Sequence, residues 1–289
     1  MLVLENELLK VAIATKGAEL QSIVRKDNGI EYMWSGDAQY WGKKSPVLFP
    51  IVGGLKKNEY IYNLNTYPLS RHGFARDMEF TVTEQSAHSA TFSLKNDEDT
   101  YKVYPFHFTF SIRYQLENDT VSVTYQVQND GKENLLFSVG GHPAFAVPQV
   151  EGSSYEDYYL EFSETENAGR WPLSAEGLIE SAPIPVLQNT NILPLTKSLF
   201  YGDALVFKQL QSKKVSLLSK THAHGLHFTL EGFPFLGIWA AKDANFVCIE
   251  PWCGIADGVY ASGNLLEKEG INNLSPKTTF TRTWSVTLF

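Results

Sequence analysis

The sequence predicts an all-β protein, a large antiparallel β-sandwich, and three features of it carry that prediction. Apolar and polar residues alternate through most of the chain, the period of half-buried strands. Asn, Asp and Gly turn signals recur between those runs at spacings typical of sandwiches and barrels. Helical periodicity is almost absent.

Taken in order, Leu8 to Ala14 and Leu20 to Val24 read as strands on either side of Gly17, and Asp27-Asn28-Gly29 reads as a hairpin-type turn. Ser89 to Leu94, Phe106 to Leu116 and Thr120 to Val127 alternate strictly, punctuated by Asn118-Asp119 and Asn129-Asp130-Gly131. Further strands are predicted over Asp157 to Phe162, Val215 to Leu218, Leu226 to Leu230, Phe235 to Trp239, Phe246 to Ile249 and Thr279 to Leu288. Short helical pieces are expected only near Asp37 to Lys43 and Thr196 to Tyr201. The stretch from Pro148 to Pro194, rich in Ser, Glu, Asn and Pro, reads as surface excursions with few short strands. Strong strand signals on both sides of it favour one domain over the whole chain, 1–289, with a two-domain division at this stretch as the alternative.

Composition narrows the function classes. With 43% hydrophobic and 13% aromatic residues the chain has ample material for a core. A net charge of −8 argues against nucleic acid or an anionic membrane as partner. No apolar run approaches the roughly 20 residues that span a bilayer. The N-terminus carries Glu5 and Glu7 where a signal peptide would carry positive charge, so a cytoplasmic protein, monomer or homodimer, is expected. Cys248 and Cys253 are too few for a disulfide framework and read as free thiols.

Four islands interrupt the strand pattern with polar groups unusual for turns. Ser70-Arg71-His72-Gly73-Phe74-Ala75-Arg76 sets two guanidinium groups and an imidazole around one glycine. Such a run is either a solvated basic turn or a set of donors for sugar hydroxyls or phosphate oxygens. Phe137 to Phe145 delivers His142 between Gly140-Gly141 and Pro143, residues that end ladder pairing and allow close backbone approach. Asp203 precedes a strand, either as a turn aspartate or as an acceptor for hydroxyls. Glu250 closes an apolar run just before Pro251 and Trp252. A carboxylate at the end of a buried strand must be hydrogen-bonded or put to use, and Trp252 offers a flat apolar face for a pyranose ring. His222-Ala223-His224, with His227 three residues on, raises a metal hypothesis in which two alternating imidazoles converge on one strand face, but no Asp, Glu or Cys within the next turn completes the set. No metal and no cofactor are expected.

In order along the chain, Gly17-Ala18-Glu19-Leu20, Ser45 to Gly53, Arg71 to Arg76, Gly141-His142-Pro143, Asp203 and Ile249-Glu250-Pro251 resemble the aldose 1-epimerase (galactose mutarotase-like) superfamily, most of all its LacX-like branch. The resemblance spans nearly the full length. It implies a sugar cleft on a concave sheet face, with Glu250 as the base at the anomeric hydroxyl and His142 as the acid at the ring oxygen. It also implies hydroxyl or ring-oxygen contacts from His72 and Asp203, with Arg71 and Arg76 as candidates for further contacts, no cofactor, and a small sugar or sugar phosphate as partner. From their places beside Glu250 and His142, Trp252 and Phe145 are expected to line the same cleft. Lys43, Lys44, Arg71 and Arg76 would form the anion pocket for a phosphorylated substrate. The acid–base chemistry needs neither metal nor nucleotide.

Two other classes stand beside this one. Gly141-His142-Pro143 replaces the Asn-His pair usual around the family's histidine, which motivates a non-catalytic carbohydrate-binding or sugar-sensing protein using the same cleft. A glycoside hydrolase or lyase would need two carboxylates roughly 5–9.5 Å apart. Glu250 with Asp203 or Asp257 would supply them, leaving His142 without a role.

Overall fold

The structure is a computed structural model that describes all residues, 1–289. It is dominated by two antiparallel sheets. The larger has nine strands in the order Ile184–Pro194, Tyr158–Arg170, Lys214–Ser219, Leu226–Thr229, Thr279–Leu288, Thr120–Asn129, Phe108–Glu117, Ser89–Lys95 and Thr81–Gln85. The smaller runs Leu205–Lys208, Phe235–Trp239, Phe246–Cys253, Val139–Gly141 and Val47–Leu48, with Ala144–Ala146 also pairing with Phe246–Cys253. A three-stranded sheet of Leu2–Glu5, Leu9–Ile13 and Leu20–Arg25 packs at one end.

Alternation becomes burial on the large sheet. Phe108, Phe110, Ile112, Tyr114 and Leu116 point inward from one strand, and Val121, Val123, Tyr125 and Val127 from its neighbour. Together with Trp284, Val286 and Leu288 they form one face of a continuous apolar core that runs from Leu4 to Leu288. The Phe246–Cys253 strand is buried at every position. Its Val247 face joins that main core, while the opposite face meets the cleft and a second small cluster that includes Leu48, Val206, Phe235 and Ile255. A strand covered on both sides shows a continuous apolar run rather than alternation, and a carboxylate inside such a run is placed by design of the sheet rather than by a loop.

Three expectations are corrected. The Pro148 to Pro194 stretch is not mostly surface excursion: Tyr158–Arg170 and Ile184–Pro194 are 13 and 11 residues long and form one edge of the large sheet. Their pairing shifts register between Glu161 and Gly169, which broke the alternation that sequence reading relies on. Asp37 to Lys43 is a turn, closed by Trp41 N–H donating to Asp37 O at 2.9 Å, and not a helix. The one α-helix is Glu98–Val103, started by a capping box in which Asp97 accepts from Thr100 N–H and Thr100 Oγ1 accepts from Asp97 N–H. Lys197–Phe200 is a single 3₁₀ turn within the expected helical piece.

Candidate functional site

The polar islands meet at a cleft of about 540 Å³ on the smaller sheet. Glu250 reaches it because pairing places Gly237 opposite Glu250, Trp239 opposite Cys248 and Phe235 opposite Trp252. Cross-strand partners share a face, so Cys248, Glu250 and Trp252 all look toward the cleft side. Gly237 is required there: a Cβ on it would sit 2.5 Å from the Trp252 ring, and the indole lies in the slot its absence leaves. On the other side of Phe246–Cys253, pairing with Val139–Gly141 ends at Gly140 opposite Trp252 and resumes at Ala144 opposite Cys248. The interruption is His142-Pro143, and through it the imidazole enters the cleft.

His142 Nε2 lies 3.3 Å from Glu250 Oε2, and both residues are buried. The pair makes no well-aligned hydrogen bond: Glu250 Oε2 and His142 Nδ1 are both buried without a partner. The Trp252 Nε1–H, near enough to favour the Glu250 carboxylate slightly, completes no hydrogen bond either. Unpaired buried polar atoms cost about 1–3 kcal/mol each, and here three cluster on one cleft floor. Burial pushes the Glu250 carboxyl well above its usual range; Arg71 opposes that shift and Asp203 adds to it. Burial also lowers His142 to about 3, assisted by the positive charge of Arg76 and Arg71.

Two tryptophans that sequence reading did not single out hold the imidazole. Trp41 lies against it with ring centroids 4.8 Å apart, and Trp239 meets it edge-on at 5.5 Å. The Trp41 turn is anchored by Trp34 Nε1–H donating to Trp41 O at 2.9 Å. Trp41 stands in a short polar turn with no periodic signal, and Trp239 closes the predicted Phe235–Trp239 strand with nothing local to show that it faces a cleft. The only clue was an excess of aromatic residues near turns.

His72 is buried beside His142, their rings 5.9 Å apart at nearly a right angle. Its backbone adopts φ of 70°, uncommon for a residue with a side chain, and Gly73 follows with φ of 69° against the Phe49 carbonyl. Gly53 N–H donates to His72 Nδ1 at 3.1 Å, which makes that nitrogen the acceptor and leaves the proton on Nε2. Burial lowers the His72 pKa well below the ordinary histidine value, so the ring is a neutral donor.

Arg71 and Arg76 both line the cleft, Arg71 exposed and Arg76 half-buried with its Nη2–H donating to Arg71 O at 3.0 Å. Asp203, with φ of 73°, accepts from Ala204 N–H at 2.7 Å and also borders the cleft, so it is a turn residue and a cleft residue at once. Lys242 and Tyr201 complete that rim.

Phe145 is not among the cleft residues. It pairs opposite Val247, on the core face, and packs edge-on against Phe228. Three residues past His142 the strand period turns it inward. Lys43 binds Asp77 at 3.0 Å and Lys44 donates to Gln21 O at 3.0 Å, so neither contributes to an anion pocket in the cleft. Asp257 faces away as well, in a buried ion pair with Lys268 at 2.8 Å. The His222 and His224 rings do come together, 5.9 Å apart, but outside any strand and without further ligands to complete a metal site: His222 meets Tyr158 Oη at 2.7 Å, His224 lies 3.5 Å from Asn28, and His227 meets Ser216 Oγ at 2.8 Å. Cys248 and Cys253 are free and buried.

The chain is 36% identical to the chromosomal LacX protein of Lactococcus lactis subsp. lactis, over 99% of this chain and 98% of that one. Among solved structures it resembles a galactose mutarotase related enzyme from Lactobacillus acidophilus, with a TM-score of 0.95, 38% identity and coverage of 100% and 97% of the two chains. A galactose mutarotase-like protein from Lactobacillus casei matches with a TM-score of 0.94 and 32% identity over both full chains. The family model for aldose 1-epimerase matches residues 1–270. With the fold, the cleft and these likenesses in agreement, the chain belongs to the aldose 1-epimerase family.

Proposed function

We propose that this protein is an aldose 1-epimerase that interconverts the α and β anomers of an aldose or aldose phosphate by acid–base ring opening, acting as one domain over residues 1–289. The observation that carries the reading is the buried His142–Glu250 pair, 3.3 Å apart on the cleft floor. The anomeric hydroxyl and the ring oxygen of a pyranose are bonded to the same carbon, so an acid and a base this close reach both.

In the forward half, ionised Glu250 takes the proton of the anomeric hydroxyl while protonated His142 gives one to the ring oxygen. The bond from C1 to the ring oxygen breaks and C1 becomes an aldehyde carbon. Rotation about C1–C2 presents the other face. Reclosure returns the ring-oxygen hydroxyl proton to His142 and moves the Glu250 proton onto the new anomeric oxygen. The pair holds one proton throughout, so the cycle exchanges none with solvent.

Burial raises Glu250 and lowers His142, and both shifts favour the neutral carboxyl beside the neutral imidazole. That is the protonation state of the ring-opened stage. The site is therefore matched electrostatically to the open aldehyde, and interactions stronger there than with the closed ring speed the chemical step. His72 Nε2–H and Asp203 are suited to hydroxyl groups, Arg71 and Arg76 to hydroxyls or a phosphate, and Trp252 to the apolar face of the ring. The reduced, buried thiols suit a cytoplasmic setting.

Polarimetry or one-dimensional NMR after dissolving single anomers of glucose, galactose and their 6-phosphates tests the reading. Wild type should accelerate interconversion of at least one sugar, and His142→Asn and Glu250→Gln should each lose about 10²–10⁴-fold. Saturable sugar binding with no acceleration by wild type would instead make the protein a sugar-binding relative.

A further inference from the structure

We propose that His142, Cys248 and Glu250 form a site for a thiophilic divalent transition-metal ion, Zn²⁺ or Co²⁺, which shuts the cleft to sugar when it binds. One donor atom from each residue, an imidazole nitrogen, a thiol sulfur and a carboxylate oxygen, lies within 4.8 Å of the other two. Cys248 and Glu250 are two residues apart on one strand and share its cleft-side face, while His142 enters from the adjacent break in pairing. All three are buried, and Glu250 Oε2, which faces His142 Nε2 at 3.3 Å, lacks any hydrogen-bond partner. The cluster therefore has donor capacity that the protein itself leaves unused.

The geometry is nearly that of a tetrahedral site. Bonds of about 2.0–2.3 Å to nitrogen, oxygen and sulfur place neighbouring ligand atoms roughly 3.3–3.7 Å apart around a tetrahedral ion. The His142–Glu250 separation of 3.3 Å already meets that spacing. The remaining separations close by about 1 Å, within the reach of χ1 adjustments at Cys248 and Glu250. Three protein ligands leave the fourth position open toward the cleft, where water or a hydroxyl fills it. A sulfur, nitrogen and oxygen set selects zinc and cobalt over magnesium and calcium, which take all-oxygen sites. On binding, Cys248 releases its thiol proton and Glu250 its carboxyl proton to solvent, while His142 coordinates as the neutral ring.

Binding stands on the donor geometry alone; the consequence for turnover rests on the proposed epimerase reading, because the ion would occupy the acid–base pair. The two are separated by a spectroscopic readout. Co²⁺ added to the intact protein should give a thiolate-to-cobalt charge-transfer band in the near ultraviolet that Zn²⁺ bleaches and Mg²⁺ does not. Cys253→Ala should keep the band and Cys248→Ala should lose it, with metal affinity lower by about 100-fold or more, since loss of even an outer partner costs about 10–100-fold. Cys248→Ala should also turn over sugar at the wild-type rate while resisting Zn²⁺. Absence of a band in wild type overturns the site whether or not the variants fold. So does a band that survives Cys248→Ala or that disappears in Cys253→Ala.

Discussion

Nε2 of His142 stands 3.3 Å from Oε2 of Glu250, across the one place where the Phe246–Cys253 strand loses its neighbour on that side. Burial drives the two groups apart on the pH scale, Glu250 upward and His142 down to about 3. In the proposed mechanism, turnover needs the pair to hold one proton in total. It gains a second only near pH 3, where His142 protonates, and loses the first only above the raised pKa of Glu250. The pH profile of kcat/KM should therefore stay level through the range near pH 6.5 where an ordinary histidine titrates, and decline on the alkaline side as Glu250 ionises. Initial rates of anomer interconversion from about pH 4 to 10, corrected for the buffer rate, provide the check. An acid limb centred near 6.5 would show that His142 is solvated in the working enzyme.

The same burial makes the site costly to the fold. Glu250 has a higher pKa folded than unfolded, so the native state binds more protons than the unfolded one between the unfolded value of 4.5 and the raised native value. Stability is then lost as pH rises through that window, and below 4.5 both states are protonated and the penalty vanishes. Glu250→Gln keeps the shape and removes the ionisable group. It should stabilise the protein by about 0.5–2 kcal/mol at pH 7, a trade seen when strained active-site groups are neutralised. Melting curves of both proteins at pH 7 and pH 4 give the answer: the gain should appear at pH 7 and shrink toward zero at pH 4.

Much of this arrangement was legible in the sequence, for a reason visible in Glu250 itself. A carboxylate inside Val247-Cys248-Ile249-Glu250-Pro251-Trp252 breaks a continuous apolar run, and in a strand covered on both faces no solvated position explains it. His142 was legible for the opposite reason, since Gly141 and Pro143 mark where pairing stops. What stayed hidden depends on contacts between elements far apart in sequence. Phe145 has the composition of a cleft aromatic, and only the register with Val247 shows that it faces the core. Trp41 and Trp239 lie some two hundred positions apart, and nothing local reveals that both close on one imidazole. Lys43 stood near the right motifs, but Asp77 takes its charge. The long edge strand Tyr158–Arg170 was obscured by its own bulges, which defeat a period-two reading.

Trp41 lies on His142 at 4.8 Å, on a turn whose backbone is held by Trp34. It covers the imidazole and fixes the ring plane. Trp41→Ala should lower kcat by about 10–100-fold, as expected when a positioning contact is lost and the reacting groups drift by about 1 Å. With water admitted, the burial that depresses His142 is relieved, and an acid limb should appear and move toward 6.5. Trp41→Phe, which retains a ring against the imidazole, should recover most of the rate and the level profile. A loss of activity with an unchanged pH profile would assign Trp41 to sugar binding instead of to the histidine.

Asp257 separates a structural carboxylate from a chemical one. Its Oδ1 is 2.8 Å from Lys268 Nζ, with both side chains almost fully buried, and its Oδ2 accepts from Lys56 N–H at 3.0 Å. Lys268 also donates to Ile255 O at 2.7 Å, so the pair ties the loop after Phe246–Cys253 to the segment following Leu265–Glu267. Asp257→Ala strands a buried ammonium and should destabilise the protein by about 3–5 kcal/mol, measured by urea unfolding. Replacing both partners, Asp257→Ala with Lys268→Met, removes the uncompensated charge and should restore most of that loss. Because neither side chain reaches the cleft floor, the double variant should keep near-wild-type turnover per folded molecule. A hydrolase built on Glu250 and Asp257 requires the reverse, full stability in the double variant but no catalysis. The ion pair's geometry argues against that enzyme: the Asp257 carboxylate is buried against Lys268 and the Lys56 N–H, outside the cleft that Glu250 lines, and does not face a glycosidic bond held there.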